Sequence, residues 1–190
     1  MHTTAYWLTI PRRLIAQVPF APADCRDGIV GLGAALRTVA RLLLMCERHD
    51  IGIAIHTDDD GRRREADANP ATGAEGDDPR LFLYDNYPGG IGFSEPLLDM
   101  HAQLLARARD LIAACACDRG CPACVGPPGE TGGQAKAVAL QLLERLVLAA
   151  TAGGDRGAHT QVDAPARPAA AAPPTVSPRC RRDSTGCAHS

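Results

Sequence analysis

The chain has 190 residues, 22 acidic and 20 basic side chains, and a formal net charge of −2. This length accommodates one ordinary domain and a tail, and the near-neutral balance excludes a globally basic nucleic-acid footprint. With only three Phe, three Tyr and one Trp, the core has to be built from Leu, Ile, Val and Ala, and the basic residues are arginines except for Lys136.

In chain order, Ala5 to Ile10 reads as a short strand ended by Pro11 and two arginines. Residues 31–48 carry Leu32, Ala35, Leu36, Val39, Leu42, Leu43 and Cys46 at helical spacing, which predicts an amphipathic helix with Cys46 as a core residue. Ile51, Ile53 and Ile55 alternate with smaller residues, as a strand requires. Residues 58–80 hold eight acids and four arginines and are expected to form an acidic, flexible loop. Leu81 to Tyr84 reads as a second buried strand.

Asp85, Asn86, Gly89, Gly90 and Gly92 follow. Their favoured reading is a strand-to-helix connection needing positive φ, with an anion-binding nest of amides as the alternative. Ser94 is the expected N-cap of a helix over 95–114, with Pro96 in its first turn. His101 falls on the apolar stripe of that helix and reads as a hydrogen-bonded core histidine rather than a metal ligand. Thr131 and Gln134 resemble a capping box before a last helix over 134–150. From residue 151 the sequence becomes Ala-, Pro- and Arg-rich with no core-forming period, so 151–190 is expected to be a disordered tail. The domain itself is expected to occupy residues 1–150.

Cys115, Cys117, Cys121 and Cys124 fall within ten residues, as C-x-C-x3-C-x2-C. Four thiolates close a tetrahedral metal shell with no open position, the pattern of a structural site. Gly120 permits the tight backbone approach that the turn at Cys121 needs. One structural Zn2+ suits this donor set, and the dense spacing leaves an iron–sulfur cluster as the alternative. Cys25, Cys180 and Cys187 are dispersed, without metal spacing. No signal-peptide pattern or bilayer-spanning apolar run is present. A cytoplasmic setting is therefore expected, where thiols stay reduced and metal is favoured over disulfide. Lys136 lies between two alanines, so no Gly-Lys-Ser/Thr phosphate loop exists, and no Asp-Glu-Ala-Asp/His segment occurs. The chain is thus not expected to bind ATP or to be an enzyme on its own, and no catalytic residue is assigned.

These residues also carry a family resemblance. The stretch from Leu44 to Gly52, then Leu83, Tyr84 and Asp85 with Pro88, Gly89, Gly90, Ile91 and Gly92, then the four-cysteine motif with Val125, occur in that order. With Thr4 to Trp7 upstream, this resembles the C-terminal zinc-binding, or DUF1998, region of the MrfA-like superfamily 2 DNA helicases. The resemblance covers about residues 3–150. It implies an α+β fold, a small sheet packed with helices, whose four-cysteine zinc knot joins two helices. It implies Cys115, Cys117, Cys121 and Cys124 as zinc ligands. It also implies an accessory role beside an ATP-driven 3′ to 5′ motor in bacterial DNA repair, supporting the motor and the DNA path. The implied partners are a motor domain or subunit supplied elsewhere and, through it, DNA, with no membrane partner. A free-standing zinc-knot module that binds another protein is the alternative function.

Overall fold

The computed structural model describes residues 3–57, 78–127 and 131–151 and the backbone of 158–161. The elements run β1 (Ala5–Thr9), α1 (Arg12–Ile15), α2 (Pro22–Leu44), β2 (Ile51–His56), β3 (Arg80–Asp85), α3 (Ser94–Asp99), α4 (His101–Ala114), α5 (Ala135–Thr151) and β4 (Ala158–Gln161). The strands form one antiparallel sheet in the order β2-β3-β1-β4. The expected α+β class, a small sheet packed with helices, is what the chain adopts.

Side-chain alternation puts Tyr6, Leu8, Leu81, Leu83 and Ile51 of β1, β3 and β2 into the hydrophobic core, with Ile53 packed against it. The core continues into Leu32, Leu36 and Val39 of α2, Leu104, Leu105 and Ile112 of α4, and Val138, Leu142 and Leu143 of α5. α2 is the central helix, and small residues let its neighbours come close. A Cβ at Gly28 would stand 2.2 Å from Val138 Cγ1 of α5, and one at Gly33 would stand 2.6 Å from Ile53 Cδ1 of β2.

Several boundaries differ from the expectation. α2 begins at Pro22, well before residue 31, with proline in its first turn where the missing N–H is tolerated. Its interior glycines weaken the local helix signal, but the close packing they permit outweighs that propensity loss. The helix stops at Leu44 because Met45 turns left-handed at φ 52°, and Leu42 is 71% exposed rather than in the core. Cys46 is half-buried and packs against the core, as expected. The single helix over 95–114 is two, broken at Met100, and Phe93 rather than Ser94 is the N-cap. Ser94 is instead buried in the first turn of α3.

α5 starts at Ala135, later than a capping box on Thr131 requires. The reason is Asp27 on α2, whose Oδ2 takes the Gly132 N–H at 3.1 Å and holds that turn outside the helix. β4 arises from within the segment read as tail and pairs with β1. The remainder of that segment, the acidic stretch 58–77 and the Pro128-Gly129 break lie outside the described residues.

Candidate metal centre

α4 ends where Cys115 leaves helical geometry at φ −71°, ψ 126°, its N–H still reaching the Ile112 carbonyl. The chain then doubles back so that all four sulfurs of Cys115, Cys117, Cys121 and Cys124 lie within 4.8 Å of one another. Gly120 makes this possible at φ +121°, with no room for a side chain, since a Cβ there would stand 2.4 Å from Val125 Cγ2. The turn after Cys121 is closed by the N–H groups of Cys124 and Val125, which both donate to the Cys121 carbonyl at 3.0 and 3.1 Å.

The Sγ–Sγ distances are 3.5 Å for Cys115–Cys117, Cys115–Cys121 and Cys117–Cys124, and 3.7 Å for Cys121–Cys124. A Zn–S bond of about 2.3 Å gives a tetrahedral edge of about 3.8 Å. The spacing fits that edge and is far from a disulfide's roughly 2.05 Å, and all four are free thiols. The donor set therefore fits zinc in both geometry and chemistry.

The protein tunes the two cysteines of the turn in opposite directions. The Ala123 amide N–H holds the Cys121 thiol down at about 7. Burial pushes the Cys124 thiol up. Cys124 and Val125 are buried, whereas Cys115, Cys117 and Cys121 are half-buried against the core. Val125 rests on α2, where a Cβ at Gly31 would come within 3.0 Å of it.

Lys136, read in the sequence only as the lysine that makes no phosphate loop, is part of this centre. From the first turn of α5 its Nζ donates to the carbonyl oxygen of Cys115 at 2.7 Å and to that of Cys117. The four-cysteine knot and this ammonium together join α4 to α5. The available sequence signal was its singularity, one lysine in an otherwise arginine-based chain, twelve residues after Cys124.

The other candidates resolve clearly. His101 Nδ1 shares a 2.8 Å hydrogen bond with the Tyr6 hydroxyl, as a core histidine should. The glycine-rich nest after β3 does collect amides, with Gly89, Gly90 and Gly92 all at positive φ. Its anion is the protein's own, because Asp85 Oδ2 accepts the N–H groups of Ile91 at 2.6 Å and Gly92 at 2.9 Å. Asp85 is buried, so the nest is a strand-to-helix connection and the external-anion alternative falls.

A sheet packed with helices that closes on a four-cysteine knot defines an α+β zinc-binding domain. Residues 32–125 match the MrfA Zn-binding domain. The chain is similar to the ATP-dependent helicase YprA of Bacillus subtilis (strain 168), an uncharacterized protein, with 30% identity over 146 residues. That match covers 77% of this chain and 17% of the helicase. It is also similar to the crystal structure of the DUF1998 helicase MrfA bound to DNA, at 28% identity and a TM-score of 0.53, covering 68% of this chain and 15% of that one. The chain thus spans about one sixth of the length of the helicases it matches. Among the described residues no helix is long and apolar enough to cross a membrane.

Proposed function

We propose that this chain is the zinc-binding accessory domain of an ATP-dependent DNA-repair helicase, in which Cys115, Cys117, Cys121 and Cys124 ligate one structural Zn2+. The observation that carries the reading is four sulfurs at tetrahedral-edge spacing inside the segment that matches the MrfA Zn-binding domain. A shell of four thiolates has no open position, so the metal supplies folding free energy rather than chemistry. The chain's own residues do the positioning. Gly120 permits the turn, Val125 seats it on α2, and Lys136 ties it to α5.

In this role the knot sets how α4 and α5 leave one another and braces a motor supplied by another segment or subunit. The domain has no ATPase of its own, meets DNA as part of the assembled helicase, and works in the bacterial cytoplasm. The test is elemental analysis of the purified protein together with a pulldown. About one zinc per chain, lost with folded signal in Cys121→Ser/Cys124→Ser, and recovery of a helicase motor on the wild type are expected. A well-folded wild type without zinc overturns the metal assignment. Recovery of unrelated proteins alone overturns the helicase role.

A further inference from the structure

We infer that the sheet face opposite the helices binds single-stranded nucleic acid by stacking bases on Trp7, Phe82 and Tyr84. The chain order β1–α2–β2–β3–α3/α4/α5–β4 and the sheet order β2-β3-β1-β4, antiparallel throughout, are a β-α-β-β-α-β arrangement. This topology stacks the helices on one face of the sheet and makes β1 and β3 its central strands. Topology alone assigns no function; the side chains on the two central strands do.

Strand alternation sends Tyr6, Leu8, Leu81 and Leu83 inward and Trp7, Phe82 and Tyr84 outward. The inward set belongs to the hydrophobic core, and the three outward aromatics stand outside it, each half-buried. The chain has seven aromatic residues. Three of them are therefore placed where the core cannot use them, which is an expensive choice for a protein with so few.

The rings are arranged side by side. Trp7 is directly opposite Phe82 in the β1–β3 register, with ring centroids 6.3 Å apart at an interplanar angle of 44°. The Tyr84 ring lies across Gly52 of β2, where a Cβ would come within 2.4 Å of two ring carbons. The neighbouring positions on this face of β2 are the small residues Gly52 and Ala54. The same face carries Arg80 and His56, paired at one end of the β2–β3 register, and no carboxylate on β1, β2 or β3. Aromatic rings and a guanidinium on strands that present no carboxylate to this face are complementary to base faces and a phosphate. Aromatics on the central strands of a four-stranded sheet are the means by which RNA-recognition domains stack two or three bases. Base–aromatic stacking is sequence-tolerant, as an accessory surface on a moving motor requires.

This surface is separate from the cysteine knot and does not depend on it. It assigns a nucleic-acid contact to this chain itself rather than only to the assembled helicase. Trp7 is the only tryptophan, so intrinsic fluorescence reports directly on the proposed platform. The experiment titrates the zinc-loaded full chain with oligothymidylate of about 12 nucleotides, within the reach of one stacking domain, and with a duplex of the same length. Saturable quenching by the single strand, at least roughly tenfold tighter than any effect of the duplex, is expected. Phe82→Ala and Tyr84→Ala should each weaken binding by roughly tenfold, and Tyr84→Phe, which keeps the ring, should retain it.

No quenching by the single strand, equal affinity for the duplex, or unchanged affinity in the alanine variants each overturns the inference. If an alanine variant fails to fold, the wild-type comparison of single strand with duplex still decides it. Zinc content measured on the same samples keeps this outcome distinct from the fate of the knot assignment. A protein partner or another segment of the chain seated on the face would appear as an absence of quenching.

Discussion

Lys136 Nζ reaches 2.7 Å to the Cys115 carbonyl oxygen, so the first turn of α5 is bonded to the residue that ends α4. The same ammonium also bonds the Cys117 carbonyl. A four-thiolate shell around a divalent ion remains anionic, and a fixed cation held over its backbone offsets part of that charge. Lys136→Met keeps the aliphatic stem and removes both hydrogen bonds. It should destabilise the zinc-loaded protein by about 2 kcal/mol and speed zinc transfer to a chelator. Lys136→Arg should recover only part of this, because a planar guanidinium does not replace a compact ammonium between two converging carbonyls. Chelator-transfer kinetics and thermal unfolding check it. Equal rates in wild type and Lys136→Met would remove Lys136 from the metal centre.

Cys121→Ser should abolish tight zinc binding and unfold the α4–α5 junction. Structural zinc contributes on the order of 10 kcal/mol or more in small domains, comparable to the whole stability of a domain this size. Far-UV circular dichroism of the variant should resemble that of wild type stripped by chelator. Zinc added back should restore helical signal only to wild type.

Asp85→Asn should cost about 2 kcal/mol. The buried carboxylate accepts charge-assisted hydrogen bonds from the Ile91 and Gly92 amides, and Thr3 Oγ1 donates to the Asp85 carbonyl at 2.8 Å, tying the same residue to the start of β1. An amide oxygen is a weaker acceptor for these N–H groups than a carboxylate oxygen. Denaturant titration of the zinc-loaded variant gives the figure, and a variant as stable as wild type would contradict the internal-anion reading of the nest.

Tyr6 makes stability fall at alkaline pH. Burial raises its hydroxyl above the ordinary value of 10.0. Above about pH 10 the unfolded chain has therefore released a proton that the folded chain keeps. The folded state binds more protons there, so unfolding becomes easier as pH rises, by at most about 1.4 kcal/mol per pH unit from this group. Below pH 10 the contribution is constant. Tyr6→Phe should flatten this part of the alkaline slope while losing about 1 kcal/mol at neutral pH with the His101 hydrogen bond. Unfolding midpoints at neutral pH and above pH 10 test both.

Gly28→Ala sets two effects against each other. Helix propensity favours alanine by up to about 1 kcal/mol. The added methyl would occupy the space of Val138 Cγ1, 2.2 Å away, and overpacking costs about 1–3 kcal/mol. The steric term should win, giving a net loss of about 1 kcal/mol. Gly28→Ala with Val138→Ala should regain part of it, measured as coupling in a double-mutant cycle.

The knot was legible because its information is local. Four cysteines within ten residues, with Gly120 before the turn, specify which sulfurs meet whatever the rest of the chain does. β2 and β3 were legible for the same reason, since alternation of Ile51, Ile53 and Ile55 is a property of neighbours in sequence. The beginning of α2 was not, because Gly28, Gly31 and Gly33 depress helix propensity and their value lies in contacts with α5, the knot and the sheet. Ser94 carries a capping side chain, yet Phe93 caps the helix and Ser94 is buried in its first turn.

By itself the sequence determined the four-cysteine cluster, the approximate strands and the α+β class. Only the tertiary structure decided that Lys136 clasps the knot, that Asp85 fills the amide nest, and that Trp7, Phe82 and Tyr84 share the sheet face opposite the helices. The difference is physical. The first set depends on spacing over a few residues. The second depends on where the chain's path brings together groups as far apart as Trp7 and Phe82, and packing fixes that path only when all of the elements are in place.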